Sequence, residues 1–178
     1  MSELSPAVEA RISRGEVVVS AEAVSGAATP KILVTAVIEA PPAQVWKVID
    51  DSSSYSAFMP RVKESRELSR IGHEVKTRLT VEMPFPLKNL TATTQADHQV
   101  DEGERWVRRW DLAEGDYKRN SGSWTLTPFK GDAQRTLVAY VLHVEPKIRI
   151  PKKIASAVQE RAMPALIDAV RKRVRTQG

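Results

Sequence analysis

The chain has 178 residues, of which 42% are hydrophobic and 28% charged, with a formal net charge of +5 and no cysteine. That length fits one domain, on the usual allowance of ~100 to 200 residues, and lets the chain bury roughly 70% of its unfolded surface. Disulfides, thiolate metal sites and thiol nucleophiles are excluded by the missing cysteine, and no apolar run approaches the ~20 residues that cross a bilayer.

The charge is unevenly spread. Nine basic residues against two acidic ones lie from Lys147 onward, leaving eighteen against twenty before it, and Arg171, Lys172, Arg173 and Arg175 crowd the end. A solvated helix end, whose cations complement the helix dipole, fits this pattern. So does transient contact with an anionic membrane through the C-terminal basic segment. No helix-turn-helix, zinc finger or RNP-type aromatic motif accompanies the charge, so no nucleic-acid partner is expected. Residues Met1 to Ala10 carry two glutamates and no basic residue, unlike a secretory leader, and a cytoplasmic protein is expected.

Along the chain, Ser5-Pro6 caps and opens a short helix over residues 6 to 13 that Gly15 stops, and its place is expected to be peripheral. Glu16 to Ala23 and Lys31 to Ala40 are rich in Val and Ile and flank a turn-like Ser25 to Pro30, which predicts a hairpin-like strand pair. Pro41-Pro42 ends the second strand. Val45, Trp46, Val48 and Ile49 then fall at helical spacing up to Asp50, and a second short turn runs to Phe58 before Pro60. From Val62 to Pro146 the period becomes two. Strands are predicted at 62–70, 74–83, 89–100, 105–112, 121–129 and 135–146, and the short turns between them imply an antiparallel meander. Pro151 opens a long amphipathic helix whose stripe holds Ile154, Val158, Ala162, Leu166, Ile167, Val170 and Val174, with Pro164 set to kink it.

The order predicts an α+β fold. One helix ~10 to 12 Å wide cannot fill the concavity of a wide sheet, so an internal cavity is expected between the layers.

Strand alternation decides which side chains face that cavity. Val75, Thr77, Leu79, Val81 and Met83 share the apolar face of their strand, as do Leu90, Ala92, Thr94 and Ala96 in the next. Trp106, Arg108, Trp110 and Leu112 follow, then Trp124 and Leu126, then Val138, Tyr140, Leu142 and Val144. Thr77, Leu79, Val81, Trp106, Arg108, Trp110, Trp124, Tyr140 and Leu142, with Val158 and Ala162 from the helix, are the candidate ligand-binding residues. Arg108 is the sharpest of them. A guanidinium among three indoles can stack on their faces and offer a donor fork to a ligand oxygen, whereas a shifted register would put it at a rim. Tyr140 could add a second donor, or be satisfied by backbone.

His73, His98 and His143 have no spacing that collects a metal, and no Ser, His and Asp set suggests a triad. Asp97-His98 reads as a surface pair. Glycine-rich phosphate loops are absent, so no cofactor, metal or catalytic residue is assigned.

Three stretches carry a family likeness. Ile38-Glu39-Ala40-Pro41-Pro42-Ala43-Gln44-Val45-Trp46, with Asp50, Tyr55, Phe58 and Pro60, forms an opening strand and helix. Met83-Pro84-Phe85-Pro86-Leu87-Lys88-Asn89 forms a Pro-aromatic-Pro-Leu turn. Ser123 to Leu126, Tyr140 to Pro146 and Ile150-Pro151-Lys152 lead into the last helix. Together they resemble the START and helix-grip group, which includes lipid-transfer START domains, coenzyme-Q-binding proteins and polyketide aromatase/cyclases.

The resemblance spans roughly residues 31 to 175. It implies a helix-grip fold, a curved antiparallel sheet wrapped around a long C-terminal helix. Residues 31–178 would form the ligand-binding domain, and residues 1–30 an extension with a short helix and an additional strand. The implied function is binding, and possibly transfer, of a hydrophobic small molecule such as a lipid or lipid-like metabolite. An aromatase/cyclase-type enzyme using Arg108, Tyr140 or His98 in the same cavity is the alternative. Leu90 stands where START domains usually place an arginine after the turn, so a headgroup contact assigned to that arginine does not carry over, and Lys147-Ile148 replaces their usual glycines.

Overall fold

Alternating apolar residues from Val62 onward form extended strands because one face of each can be buried while the other stays in water. The computed structural model describes residues 3–177, the side chains of residues 158 and 159 excepted. In chain order the elements are α1 (Pro6–Ser13), β1 (Val18–Glu22), β2 (Lys31–Ile38), α2 (Pro42–Asp50) and a 3₁₀ turn (Ser52–Ala57). There follow β3 (Val62–Ile71), β4 (Glu74–Val81), β5 (Leu90–Asp101), β6 (Arg105–Gly115), β7 (Tyr117–Phe129) and β8 (Asp132–Pro146). The C-terminal helix is divided into α3 (Lys152–Ala157), a π-helical turn (Val158–Ala162) and α4 (Met163–Gln177).

All eight strands join one curved, open antiparallel sheet in the order β1-β2-β8-β7-β6-β5-β4-β3. The meander from β3 to β8 follows from the short turns, and β2 pairs with β8 to return the N-terminal hairpin to the sheet. β6 and β7 each run longer than the apolar pattern predicts: the turn between them is reduced to Asp116. Asp116 is tied on both sides, its amide donating to the Thr91 carbonyl at 2.8 Å and its carboxylate accepting from the Thr91 amide at 2.8 Å.

The main core lies on the concave face, between the sheet and the pair α2 and α4. Val34, Ala36, Trp106, Trp124, Leu126, Val138 and Tyr140 meet Val45, Val48 and Ile49 of α2 and Met163, Leu166, Ile167, Val170 and Val174 of the terminal helix. Each such aliphatic side chain contributes about 1.5–3 kcal/mol on burial. The predicted helical stripe therefore holds from Met163 onward. Before it, α3 buries none of its side chains. The break between the two halves follows from Pro164, which has no amide to give to the carbonyl four residues back and whose ring crowds it. The wider π turn immediately upstream absorbs the missing bond.

The first helix is not peripheral. Ser5 caps it by accepting from the Val8 amide at 3.2 Å, and Ile12, 0% exposed, packs with Val37 and Phe129 on the convex side of the sheet. Val37 and Leu137 have the opposite parity to the concave row, so α1 covers the sheet from outside. A third, small cluster of Leu90, Ala92 and Tyr117, with Met83, Leu112 and Val144 against it, closes the far end of the concave face.

Candidate functional site

The register of β5, β6 and β7 sets His98 opposite Arg108 and Arg108 opposite Trp124, all on the concave face. Arg108 is 3% exposed, which rules out the rim position. Its terminal nitrogens donate to His98 Nε2 at 2.8 Å and to Thr77 Oγ1 at 3.2 Å. Arginine has only donors, so Nε2 of His98 accepts and the ring proton sits on Nδ1. That proton points to Asp50 Oδ1, 3.2 Å away at the end of α2. Asp50 also accepts from Arg70 at 2.8 Å, and Arg70 in turn from its Nε reaches Glu67 at 2.6 Å. Thr77 is further joined to Ser52 of the 3₁₀ turn at 2.8 Å.

This network removes the buried cation's need for a ligand partner. The aromatic face beneath the guanidinium belongs to Tyr55, with its centroid at 5.9 Å, rather than to an indole as expected from alternation. Trp46 meets His98 edge-on at 5.0 Å. The hydrogen bond from His98, then Arg70, holds the Asp50 carboxyl down at about 2 although burial opposes them. Burial pushes the phenols of Tyr55 and Tyr140 up, and that of Tyr117 up to about 12. His98, expected on the surface, is thus the buried link between α2 and the sheet. His143 is buried too, its Nε2 donating to the Thr29 carbonyl at 3.0 Å. Among the described residues no group of three His, Cys, Asp or Glu is arranged to hold a metal.

The remaining candidates divide into two groups. Thr77, Trp106, Trp124 and Tyr140 are buried in the core, where Tyr140 packs on Trp124 at 4.3 Å and lies 6.0 Å from Trp110. Leu79, Val81, Trp110, Leu142 and Ala162 are only half-buried. The side chain of Val158 lies outside the described residues. The interior between sheet and α4 is therefore filled, and the expected hollow does not extend there, because α2 and α4 together cover what one helix could not. Two concavities of about 190 and 350 Å³ stand out among the described residues. The first lies beside Ile38, Gln44 and Val174, the second on the convex face around Arg78 and Thr93, and neither touches the aromatic row.

What stays incompletely covered is a shallow apolar trough on the concave face, between the main core and the cluster around Tyr117. Half-buried Leu79 and Leu142, packed on the main core, border it on one side, and half-buried Leu112 and Val144, packed on the Tyr117 cluster, on the other. Its floor is Trp110, whose six-membered ring lies over Gly122, where a Cβ would overlap it. The indole nitrogen donates to Asn120 Oδ1 at 3.1 Å. Asn120 and His98 were not singled out by alternation. His98 continues the parity of Leu90 to Ala96 by one step, and that signal could have found it. Asn120 sits in Lys118-Arg119-Asn120-Ser121-Gly122, which reads as a turn.

Comparison with known proteins places this geometry. Residues 38–171 match the protein family described as Polyketide cyclase / dehydrase and lipid transport. A sequence comparison with curated proteins finds no match. Among solved structures, the STAR-related lipid transfer protein from Xanthomonas axonopodis superposes with a TM-score of 0.77 at 23% identity, over 89% of this chain and 93% of that one. Human StAR-related lipid transfer protein 5 gives a TM-score of 0.79 at 11% identity, over 92% and 83%. The Zhui aromatase/cyclase from Streptomyces gives 0.65 at 21%, over 83% and 94%. At these identities the likenesses establish the helix-grip fold, and no helix among the described residues is long and apolar enough to cross a membrane.

Proposed function

The chain belongs to the polyketide cyclase / dehydrase and lipid-transport family, and from that membership we propose that it binds and carries a hydrophobic small molecule in the trough on the concave face. The observation that carries this reading is the mismatch between the two halves of the terminal helix. α4 seats Leu166, Ile167, Val170 and Val174 in the core, whereas α3 buries none of its side chains, and Leu79, Trp110, Leu112, Leu142 and Val144 on the concave face stay half-buried. An apolar ligand laid on that row removes its own surface and the row's from water at ~25 cal/mol per Å². Arg108 and His98 have their nitrogens engaged within the chain, which favours a carrier over the acid/base work of an aromatase/cyclase-type enzyme.

The end of the sheet beyond the Tyr117 cluster suits contact with an anionic lipid surface. Phe85, 96% exposed, and Ile148, 41% exposed, stand at the end of the sheet where β4 and β8 finish, with exposed Lys88, Lys147, Arg149, Lys152 and Lys153 nearby in sequence. At the other end of the basic segment, Arg171 is held by the Val37 carbonyl and Asp168, and Arg173 stacks on Phe58. The contact therefore belongs to the residues entering the helix rather than to its last turn.

Native mass spectrometry of the protein after incubation with a panel of phospholipids, sterols, quinones and fatty esters tests the carrier reading. One-to-one adducts that weaken on Trp110→Ala and Leu142→Asn are expected. No adduct with any member of the panel sinks it.

A further inference from the structure

We propose that Asn120 is the polar anchor of the trough and that the ligand it selects is an uncharged apolar molecule with one oxygen acceptor, a ketone, ester or hydroxyl. The inference rests on the carrier reading and specifies its ligand.

Asn120 shares the concave parity of Gly122 and Trp124 and faces Val144 across β8, so a single amide stands among apolar neighbours. Its orientation is fixed by chemistry. The Trp110 indole can only donate, so at 3.1 Å it must meet Oδ1, and Nδ2 is turned the other way. Among the described residues Nδ2 has no partner, and the residue is half-buried. A half-buried amide with two unengaged donors thus stands beside half-buried Leu112, Leu142 and Val144, a setting that suits a neutral oxygen with lone pairs to accept them. A carboxylate fits less well. The cation on the same face of β6, Arg108, already gives its terminal nitrogens to His98 and Thr77, and an ionised group laid on apolar surface without a cation loses its hydration.

Native mass spectrometry on an equimolar mixture of methyl undecyl ketone, tridecane and tridecanoic acid reads the preference as relative occupancy. The unmutated protein is expected to favour the ketone over the alkane by roughly three- to tenfold, the range of one net hydrogen bond, and over the acid as well. Asn120→Leu is expected to equalise ketone and alkane while keeping the alkane bound. In the unmutated protein the Asn120 side-chain amide resonance should move with ketone and stay still with alkane, a readout independent of how well the variant folds. Equal occupancy of ketone and alkane, a ketone preference surviving Asn120→Leu, or preferred binding of the acid overturns the anchor and leaves the carrier reading standing. If none of the three binds, the anchor falls, and the carrier reading stands or falls on the lipid panel alone.

Discussion

The ring of Trp110 occupies the space that a side chain at position 122 would fill, so the floor of the trough exists only because β7 carries glycine there. A methyl group at 122 would overlap both the indole and the Val141 carbonyl oxygen. Gly122→Ala is expected to cost about 1–3 kcal/mol, the range for overpacking, and to alter the indole fluorescence as Trp110 is displaced. Urea unfolding checks the first effect and emission spectra the second. A variant as stable as the parent with unchanged emission would show that the ring does not lie where it is described.

Arg108 and His98 are expected to be strongly coupled. His98→Leu leaves a buried guanidinium with one acceptor fewer, and stranding a buried donor in this way costs about 1–3 kcal/mol, at the upper end for a charged one. The double variant His98→Leu/Arg108→Met is expected to lose less than the sum of the single losses, by an interaction energy of about 0.5–3 kcal/mol. A double-mutant cycle in urea measures this, and strict additivity would mean the contact contributes nothing.

Strong acid should weaken the fold through Asp50. Its folded carboxyl lies at about 2 against an ordinary 3.8, so the folded state holds the charged form more firmly than the unfolded chain does. The stability this confers is present above pH 3.8 and is lost as pH falls through about 2. With the side chain 36% exposed, solvent screening keeps the effect modest. Asp50→Asn is expected to be less stable than the parent at neutral pH and to show a flatter decline in that acid window. Equal acid slopes for both proteins would remove Asp50 from the account.

Ile12 tests whether the N-terminal helix belongs to the fold. Its burial against Val37 and Phe129 predicts that Ile12→Ala costs about 2–5 kcal/mol, the cost of truncating a buried isoleucine. Thermal unfolding with no measurable shift would return α1 to the role of an appendage.

The strands and their inward faces were legible because a period of two survives any tertiary arrangement: each assigned residue that falls within β4 to β8 lies on the concave row, and only Met83 lies past the end of its strand. Arg108 was found by the same rule, but its surroundings were not. Tyr55, Asp50 and Ser52 approach from a helix and a turn whose docking depends on three-dimensional packing, and alternation along one strand carries no information about it. Asn120 escaped for a local reason. Its Lys-Arg-Asn-Ser-Gly setting has the composition of a loop, and only the ring of Trp110 above Gly122 explains why a strand passes through it. α1 packs on the sheet because a sheet this wide has two faces to cover, and Val37, Phe129 and Leu137 form an apolar patch on the outer one, a pattern carried by three separate strands and so invisible in any one of them.

Pro164 has a consequence for how the molecule breathes. A helix is a cooperative ladder in which each rung steadies the next, and here the ladder is interrupted just before the turn that begins the seated half. Fraying of Lys152–Ala157 therefore forfeits only that segment's own rungs and does not run on into Leu166 and Ile167. Loosening of that segment is in this way uncoupled from the global unfolding of the protein, and backbone amides on the two sides of the joint should exchange with solvent on separate clocks.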